Sequence, residues 1–575
     1  MFVNGLTPIP VPLIFFAFQT APKELFVNSC YQSLISLTFI KISFLHFLFK
    51  STFLLLAALT DRKEILSRIN AVAQWDILVI GGGASGLGIA LDAVTRGYST
   101  LLVEQSDFAK GTPGRSTKLV HGGVRYLAQG NIKLVREASI ERGLLRKNAP
   151  HLVKDQTFIV PVYSFWSRLK YTIGLKLYDR IAGSLGLGRS VYVSKTEAIE
   201  KLPGIKTKGL HGGVVYHDGQ FDDARLALNL AQTIIENGGQ AINYMKLTGL
   251  VKNDAGNITG AHVMNTEDGK IYTIKAKVVI NATGVFVDDI LQMDKPGSAK
   301  SICVSQGVHL VLDRNFLPGE HALMIPETSD GRVLFCVPWH GKLVVGTTDT
   351  PVEHASLEPV ALEKEIEFIL STAAAYLAAT PARKDVLSVF AGLRPLAAPQ
   401  AGGQKTKEIS RSHKIIVGQS KLFTIIGGKW TTYRKMGEDM LDRVEREMKW
   451  VPQKSRTASL RIHGFCESMN REDPFYFYGS DAGLLQKETG ENSWLSTGLH
   501  IHGHQVVWAI RHEMARTVED ILSRRTRALL LDAREARRIA PQVAAIMAKE
   551  LAEGEPWIIN QLALFNELSE KYLLS

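Results

Sequence analysis

The sequence predicts an α/β fold: a Rossmann-type dinucleotide-binding domain interleaved with an α+β substrate domain on an antiparallel sheet, followed by a C-terminal helical domain. Three observations support this prediction. A strand, a glycine-rich turn and a helix occupy residues 75–104, an apolar strand returns at 277–284, and residues 476–575 have a mostly helical pattern. We therefore expect the two interleaved domains to span residues 74–445 and the helical domain to span residues 455–575.

The first strand and its glycine turn have the parts of a dinucleotide site. The apolar strand Ile77–Ile80 leads into Gly81, Gly83 and Gly86. Gly81 allows the tight turn, Gly83 lets the backbone approach a pyrophosphate, and Gly86 lets the helix pack close to the sheet. The N-terminus of that helix offers N–H groups and a positive dipole end to the phosphates.

Two further features indicate which dinucleotide binds. Glu104 ends the second strand, where its carboxylate can accept hydrogen bonds from a ribose diol and disfavours the 2′-phosphate of NADP. The later strand Lys277–Gly284 ends in Ala282-Thr-Gly284, a sequence that is frequent where the chain re-enters the nucleotide domain of FAD enzymes. Together these features favour FAD over NAD, with Ala282 and Gly284 among the expected contacts.

The remaining elements follow from periodicity and from turn residues. Asp222 or Asp223 would cap one of the helices, and Gly238-Gly239 would end it. Short strands are predicted over 240–350, and strands with a final helix over 386–436. Residues 450–475 are predicted to be a linker. The predicted helices cover 60–74, 132–147, 223–237 and 359–379.

Composition sets the broad class of protein. The chain has 575 residues, enough for two or three domains, and a net charge of +11. This charge suits an anionic membrane surface, nucleic acid or a phosphorylated substrate without choosing among them. The four cysteines are widely spaced and contain no CxxC motif, so neither a disulfide framework nor a zinc site is expected.

Residues 1–73 form an apolar extension whose first 59 residues differ sharply from the rest of the chain. These 59 residues hold 10 of the 24 phenylalanines, and Glu24 is their single acidic residue. Lys41, His46 and Lys50 interrupt the apolar run, which falls short of the about 20 residues that a spanning helix needs. Three interpretations stay open: an over-long start, which we favour, a poor transmembrane anchor, or an interfacial segment.

Several further motifs match one family. They are Ser116–Tyr126, Phe221–Leu226, Gly307–His309, Gly346–Asp349, Ala391–Pro395, Gly427–Arg434 and Arg511–Asp520. On these motifs, the chain from about residue 75 to 550 resembles the FAD-dependent glycerol-3-phosphate dehydrogenases of the respiratory type. One departure is Pro113-Gly114, where the family usually has two serines, so a flavin contact made there by a hydroxyl would be absent.

The resemblance implies oxidation of sn-glycerol 3-phosphate to dihydroxyacetone phosphate by hydride transfer to FAD, with electrons passed to a quinone. Arg125 and Arg394 are the expected clamps, because a guanidinium group suits a phosphate, and Tyr126 lies beside Arg125. His309 is the expected base for the C2 hydroxyl. Lys429 would reach the substrate or the flavin carbonyls.

Other motif residues are expected around the flavin, and Asp349 is expected either to orient a neighbour or to form a turn. The expected flavin contacts in these motifs are Ser116, Thr117, Lys118, His121, Gly122, Gly123, Gly427, Gly428 and Thr432.

Two clusters of basic residues are assigned to the surface. His500, His502 and His504 alternate like a strand face, and they lack the carboxylate or cysteine partners of a metal site. Arg524, Arg525 and Arg527 would form a solvated helix face, or alternatively contact anionic lipid headgroups.

Alternative functions stay open at this point. They are a glycerol-3-phosphate oxidase that uses oxygen, another FAD-dependent oxidase, and a flavin-bearing nucleic-acid binder suggested by the basic pI. Basic residues interleaved with exposed aromatic residues are not evident, so no nucleic-acid partner is expected. We expect peripheral attachment to the cytoplasmic face of the inner membrane, and a homodimer is an assembly that the sequence allows.

Overall fold

The structure is a computed structural model that describes residues 61–124, 127, 130–398 and 412–574. The three interpretations of residues 1–59 fall outside the described residues. The described strands are β1 (Trp75–Ile80), β2 (Thr100–Val103), β3 (Leu119–Val120), β4 (Val153–Val162), β5 (Val191–Ser194), β6 (Gly212–Phe221), β7 (Gln240–Ile242), β8 (Met245–Lys252), β9 (Ile258–Asn265), β10 (Ile271–Asn281), β11 (Ile302–Asp313), β12 (Ala322–Ile325), β13 (Leu334–Trp339), β14 (Lys342–Gly346), β15 (Thr350–Val352), β16 (Val386–Ala397), β17 (Lys414–Val417), β18 (Phe423–Ile426), β19 (Trp494–Ser496) and β20 (Ile501–His502).

The described α-helices are α1 (Arg62–Ala71), α2 (Ala84–Thr95), α3 (Ile132–Asn148), α4 (Phe165–Ala182), α5 (Lys195–Lys201), α6 (Asp223–Glu236), α7 (Val287–Asp294), α8 (Glu363–Tyr376), α9 (Tyr433–Met448), α10 (Ala482–Leu485), α11 (Gly503–His512), α12 (Ala528–Leu531), α13 (Ala533–Leu551) and α14 (Glu555–Glu570). The four helices predicted from periodicity correspond to α1, α3, α6 and α8. Asp222 caps α6 by accepting a hydrogen bond from the backbone N–H of Arg225.

The first sheet is the predicted dinucleotide-binding sheet. Its strand order is β17-β18-β10-β1-β2-β7, and β1 pairs in parallel with both β2 and β10. Ile77, Leu78 and Val79 are fully buried, as expected for a parallel strand that is covered on both faces. The predicted return strand is the C-terminal part of β10, so the chain does leave this sheet and come back to it.

The second sheet is mostly antiparallel, as expected for the second of the two interleaved domains. Its order is β15-β11-β14-β13-β12-β4-β6-β3, with β16 paired to β11 and β5 paired to β6. The β11–β16 register places His309 opposite Phe390 and Ser305 opposite Arg394. Two of the predicted motifs, which are far apart in sequence, therefore share one pair of strands.

The C-terminal helices cover this second sheet. Helices α12, α13 and α14 bury their apolar faces against residues that include Val311, Trp339 and Phe390. The described fold is thus the predicted α/β architecture with a C-terminal helical region. A short hairpin formed by β19 and β20, which the sequence pattern did not indicate, precedes these helices.

Two segments differ from the sequence interpretation or add to it. The predicted linker at 450–475 is packed on the protein, where His463 contacts Glu236 and Asp481 at 2.6 and 2.7 Å. Burial acts against protonation of this imidazole, but the two carboxylates prevail and raise the pKa of His463 to about 10. Helix α4 was not predicted; the Ser164 hydroxyl caps it by accepting from Ser167 N–H. Among the described residues, no helix is both long and apolar enough to cross a bilayer.

Candidate active site

A cleft of about 440 Å³ lies at the carboxyl ends of the parallel strands of the first sheet. Open α/β sheets bind ligands in this position, at the point where the strand order reverses. The residues predicted to bind a cofactor that line this cleft are Gly81, Gly83, Glu104, Ala282, Gly284, Gly427 and Gly428. Lys429 also lines it.

The glycine turn between β1 and α2 has a backbone conformation and a close packing that require small residues. Gly81 has a φ of +111°, a conformation that favours glycine, and a Cβ on Gly86 would lie 1.8 Å from the carbonyl oxygen of Gly81. Gly83 caps α2 without a side-chain hydrogen bond, so the first N–H groups of this helix are available to a diphosphate. This donor set fits a dinucleotide, and a side chain at Gly83 would point toward the cleft wall at Pro113.

Glu104 is held in place on the wall of the cleft, directly after β2. Its two carboxylate oxygens accept hydrogen bonds from Gly82 N–H at 2.6 Å and Ser106 N–H at 2.9 Å. Burial raises the pKa of the Glu104 carboxyl, and the two backbone donors oppose this rise. These bonds fix the carboxylate at the end of β2, in the position from which it would accept from a ribose diol.

The departure at Pro113-Gly114 is accommodated by close packing. These residues belong to a 3-10 helix (Thr112–Arg115), in which Pro113 lines the cleft and its carbonyl accepts from Trp430 Nε1 at 3.0 Å. A Cβ on Gly114 would lie 2.6 Å from the carbonyl oxygen of Ala109. A serine at 114 would therefore require a backbone shift in this loop.

A second cavity of about 160 Å³ is lined by both polar and apolar side chains from strands of the second sheet and from the loops beside them. Thr117, His121 and Arg394, all predicted site residues, lie on its wall. Three charged residues that the sequence interpretation did not place at the site join them: Asp218, Arg332 and Asp349. Asp349 was expected to orient a neighbour or form a turn.

Arg394 is oriented by several acceptors. Its guanidinium donates to Thr347 Oγ1 at 3.1 Å and to the Gln306 carbonyl at 3.3 Å, and it lies 3.5 Å from Asp349 Oδ1. The Ser305 hydroxyl donates to the same Asp349 oxygen. Asp349 thus orients the cation rather than merely forming a turn.

His309 lies behind the wall of the second cavity. Its ring stacks on Phe390 with centroids 4.9 Å apart, and its Nε2 is 2.9 Å from the hydroxyl of Thr117. Nδ1 is buried and has no hydrogen-bond partner among the residues that the structure describes. Burial, followed by the charges of Arg394 and Lys118, holds the pKa of His309 well below its ordinary value. The imidazole is therefore neutral at neutral pH and can accept a proton.

Several predicted contacts lie outside both cavities. Lys118 Nζ is 2.8 Å from Asp223, both side chains are buried, and the Ser116 hydroxyl donates to the same carboxylate. Gly122 packs against Tyr178, and Thr432 is buried at the start of α9. Gly123, which adopts a φ of +81°, lines neither cavity. Arg125 and Tyr126 lie outside the described residues.

The assignment of Arg524, Arg525 and Arg527 to a solvated or lipid-facing surface is wrong. All three are buried. Arg524 and Arg525 both pair with Asp107, and Arg527 Nε lies 3.2 Å from Asp222. A run of arginines on a helix is typical of a solvent-exposed face. Here acidic residues from distant parts of the chain neutralise the arginine charges inside the protein.

The surface assignment of the histidine cluster is wrong for two of its three members. His500 is exposed, whereas His502 and His504 are buried. His502 caps α11 and accepts from the His504 backbone N–H at 3.2 Å. The alternating histidines lie where the short strand β20 continues into α11. In this connection the side chains of His502 and His504 face the interior.

Asp218 and Arg332 are the charged cavity residues for which no motif was available. Asp218 accepts from Arg142 Nη1 at 2.6 Å and from Tyr178 at 2.8 Å. Arg332 pairs with Asp330, and its Nη1 is buried with no partner in the described part of the chain. Their position on strands or strand ends of the second sheet is the one signal that could have indicated them.

Comparisons with known proteins gave matches over most of the chain. A family model described as FAD dependent oxidoreductase matches residues 76–434, and one described as the C-terminal domain of alpha-glycerophosphate oxidase matches residues 425–555. The chain is 38% identical to a probable mitochondrial glycerol-3-phosphate dehydrogenase of Caenorhabditis elegans, over 86% of this chain and 73% of the relative. It is 35% identical to the mitochondrial glycerol-3-phosphate dehydrogenase of Saccharomyces cerevisiae, over 86% of this chain and 89% of the relative.

A solved structure is similar over nearly its whole length. It is the glycerol-3-phosphate dehydrogenase from Bacillus halodurans complexed with FAD, with a TM-score of 0.72 and 28% identity. The alignment covers 89% of this chain and 98% of that one.

Proposed function

This chain belongs to the FAD-dependent glycerol-3-phosphate dehydrogenase family. We propose that one of its two cavities binds the cofactor and the other binds the substrate. The enzyme uses FAD to oxidise sn-glycerol 3-phosphate to dihydroxyacetone phosphate. We assign the larger cleft to FAD and the smaller cavity to the substrate. The observation that carries this assignment is the shared wall: Arg394 lines the smaller cavity, and Pro395, the next residue of β16, lines the cleft.

The cofactor end of the site is supported by the fit of its donors. The N-terminus of α2 would hold the diphosphate and Glu104 the ribose, while Gly427, Gly428 and Lys429 would lie near the isoalloxazine. When bound, the flavin supplies the acceptor for the hydride that leaves C2 of the substrate. Lys429 would place positive charge near the flavin carbonyls or the substrate.

The substrate end needs cations for a phosphate. Arg394 and Arg332 line the same cavity, and a guanidinium group can bind a phosphate through two parallel hydrogen bonds. Arg394 is already oriented by Thr347 and Asp349, so it loses little freedom when it binds. Arg125 and Tyr126 remain part of this proposal through the family motif that contains them.

The proton of the C2 hydroxyl leaves through Thr117. This hydroxyl lines the cavity and lies 2.9 Å from His309 Nε2, whereas His309 itself does not line the cavity. In the tautomer with its proton on Nδ1, His309 accepts from Thr117, which in turn accepts from the substrate. The charge of Arg394 is one cause of the low pKa of His309. Because a bound substrate phosphate offsets that charge, it raises the pKa of His309 and makes the imidazole a better base.

The electron acceptor and the cellular setting complete the proposal. We assign a quinone as acceptor and peripheral attachment to the membrane that contains it, on the basis of the respiratory family. Attachment to the cytoplasmic face of an inner membrane stays a prediction, as does a homodimer. The division into an extension (1–73), an FAD-dependent oxidoreductase region (74–445) and a C-terminal helical domain (455–575) belongs to the same proposal.

Turnover measurements test this function. The purified enzyme should convert sn-glycerol 3-phosphate to dihydroxyacetone phosphate with a quinone analogue, and unphosphorylated glycerol should be a very poor substrate. Product formation that is equally fast with glycerol would contradict the phosphate site. The match to a domain of alpha-glycerophosphate oxidase makes an oxidase the second candidate. Hydrogen peroxide formed in proportion to product, without added quinone, would favour the oxidase.

A further inference from the structure

Helix α4 carries a row of large apolar side chains on its solvent-facing side. Trp166 is 75% exposed and Ile173 is 60% exposed, and Leu169 and Leu177 are exposed beside them. Phe165, which is also exposed, contacts the ring of Trp166 with centroids 5.8 Å apart. We call Trp166, Leu169, Ile173 and Leu177 the apolar stripe. No other helix among the described residues exposes as many large apolar side chains.

The opposite side of the same helix fixes its orientation. Leu175, Tyr178 and Ala182 are buried, and the Tyr178 hydroxyl donates to Asp218 at 2.8 Å. At 100° per residue, the apolar stripe spans an arc of about 80° directly opposite this buried side. The stripe therefore cannot reach the core of its own chain without breaking contacts that hold the helix in place.

Cations border the stripe. Lys170 and Lys176 flank it on either side, Arg180 extends it by one turn, and Arg168 lies over the ring of Tyr192. Asp179 is the one acidic residue of α4, and it is engaged by the backbone N–H and hydroxyl of Ser190. Lys170 forms an ion pair with Glu327 in which both side chains are largely exposed to water.

We propose that α4 is the membrane-binding surface of this enzyme and lies in the headgroup plane of an anionic bilayer with its apolar stripe inserted. An apolar stripe bordered by lysine and arginine is the pattern of helices that lie in the interface, and tryptophan favours the headgroup region. The basic border suits anionic lipid and would repel a second copy of the same basic helix. This proposal names the surface for the membrane contact proposed above and rests on it.

The position of α4 also connects the membrane to the chemistry. Tyr178, on the buried side of the helix, bonds to Asp218, and Asp218 lines the proposed substrate cavity. Docking through α4 thus places that cavity directly behind the membrane-facing helix. The active site would then lie close to the bilayer that holds the electron acceptor.

Vesicle binding with matched variants tests the proposal. The full-length enzyme is mixed with vesicles of equal parts phosphatidylglycerol and phosphatidylcholine, and the bound fraction is measured by flotation. Ile173→Glu is compared with Ile559→Glu, because Ile559 on α14 is 63% exposed and provides an equally exposed isoleucine on another helix. A Lys176→Gln/Arg180→Gln double variant is compared on the same vesicles and on phosphatidylcholine alone. Reduction of a soluble dye by glycerol 3-phosphate is measured for every variant.

We expect Ile173→Glu to lower vesicle affinity by about tenfold or more and Ile559→Glu to leave it unchanged. The double variant should lose affinity for the anionic vesicles and little for the neutral ones. All variants should keep their dye activity, so a failure of the enzymatic proposal would appear separately as absent dye reduction. Vesicle binding that is unchanged in Ile173→Glu would overturn the proposal. This holds also if residues 1–60 turn out to bind the vesicles, because α4 would then not be the membrane-binding surface. A dimer that dissociates in Ile173→Glu while vesicle binding persists would assign the stripe to a second copy instead.

Discussion

Replacing Arg394 by alanine removes the cation that we assign to the substrate phosphate. The change deletes its bonds to Thr347 and Gln306, and it leaves Asp349 without this guanidinium. Hydrogen bonds to charged groups contribute about 1.5–3 kcal/mol, which corresponds to about 10- to 150-fold in affinity. We therefore expect KM for glycerol 3-phosphate to rise by that factor while flavin stays bound, because Arg394 does not line the cofactor cleft.

A second effect of the same substitution concerns pH. After burial, the charge of Arg394 is the next cause that lowers the pKa of His309, so its removal moves that pKa upward. His309 acts as a base in its unprotonated form, which is present above its pKa. The acidic limb of the pH profile of kcat/KM should therefore move to higher pH in Arg394→Ala.

Steady-state kinetics with a soluble dye acceptor across pH measure both effects. Arg383→Ala is the matched control, because Arg383 is an exposed arginine that pairs with Glu363 away from both cavities. An unchanged KM together with an unmoved acidic limb would refute the role of Arg394.

Three further substitutions test other parts of the account. Thr117→Val should slow flavin reduction in stopped-flow measurements by about 10²–10⁴-fold, and Thr117→Ser should restore most of the rate; a valine variant at parental rate would exclude the proton path. Gly83→Val should give protein without bound flavin, measured by the ratio of flavin to protein absorbance, and full flavin content would contradict the diphosphate site. Asp107→Asn should lower the free energy of unfolding in urea by about 3–5 kcal/mol, because it leaves buried guanidinium groups underpaired. Burial alone would raise the pKa of Asp107, but the charges of Arg525 and Arg524 prevail and lower it to about 2. The parent protein should therefore lose this stabilisation as the pH falls from 3.8 towards 2, and its free energy of unfolding should approach that of the variant. Free energies of unfolding that stay equally far apart over this pH range would contradict this expectation.

The dinucleotide half of the fold could be predicted because its signals are local. Gly81 needs its positive φ and Gly86 needs its close approach to the sheet whatever the rest of the chain does. Helices such as α6 carry both an apolar periodicity and a cap, here Asp222. These requirements lie within a few residues of each other and are therefore readable in the sequence.

The surface assignments failed because their partners are distant in sequence. Arg524 meets Asp107 across 417 positions, and no local pattern indicates that a basic helix turn will bury against that carboxylate. His502 is buried by the turn from β20 into α11, a hairpin connection that the sequence did not suggest. The sign of a charge run is visible in the sequence, but the side of the protein that it faces is not.

The candidate site was predicted as a set of residues but not as an arrangement. Arg394 was expected to bind the substrate phosphate and Thr117 to contact the flavin, and the structure places both on the wall of the smaller cavity. Pro395, the next residue of β16, lines the larger cleft. His309 was expected to touch the substrate and instead lies behind Thr117. Arg332 carries no motif; it lies in the turn that precedes β13, where its backbone N–H donates to the Thr328 hydroxyl at 3.0 Å, and its side chain lines the cavity.

Anaerobic reduction of the bound flavin tests the central claim most directly. The yellow protein is mixed with sn-glycerol 3-phosphate in the absence of oxygen and of any quinone, and the absorbance of the flavin is followed. We predict that the flavin is bleached by glycerol 3-phosphate and not by glycerol. Protein that binds FAD but stays yellow with glycerol 3-phosphate, while dithionite bleaches it, would contradict the account.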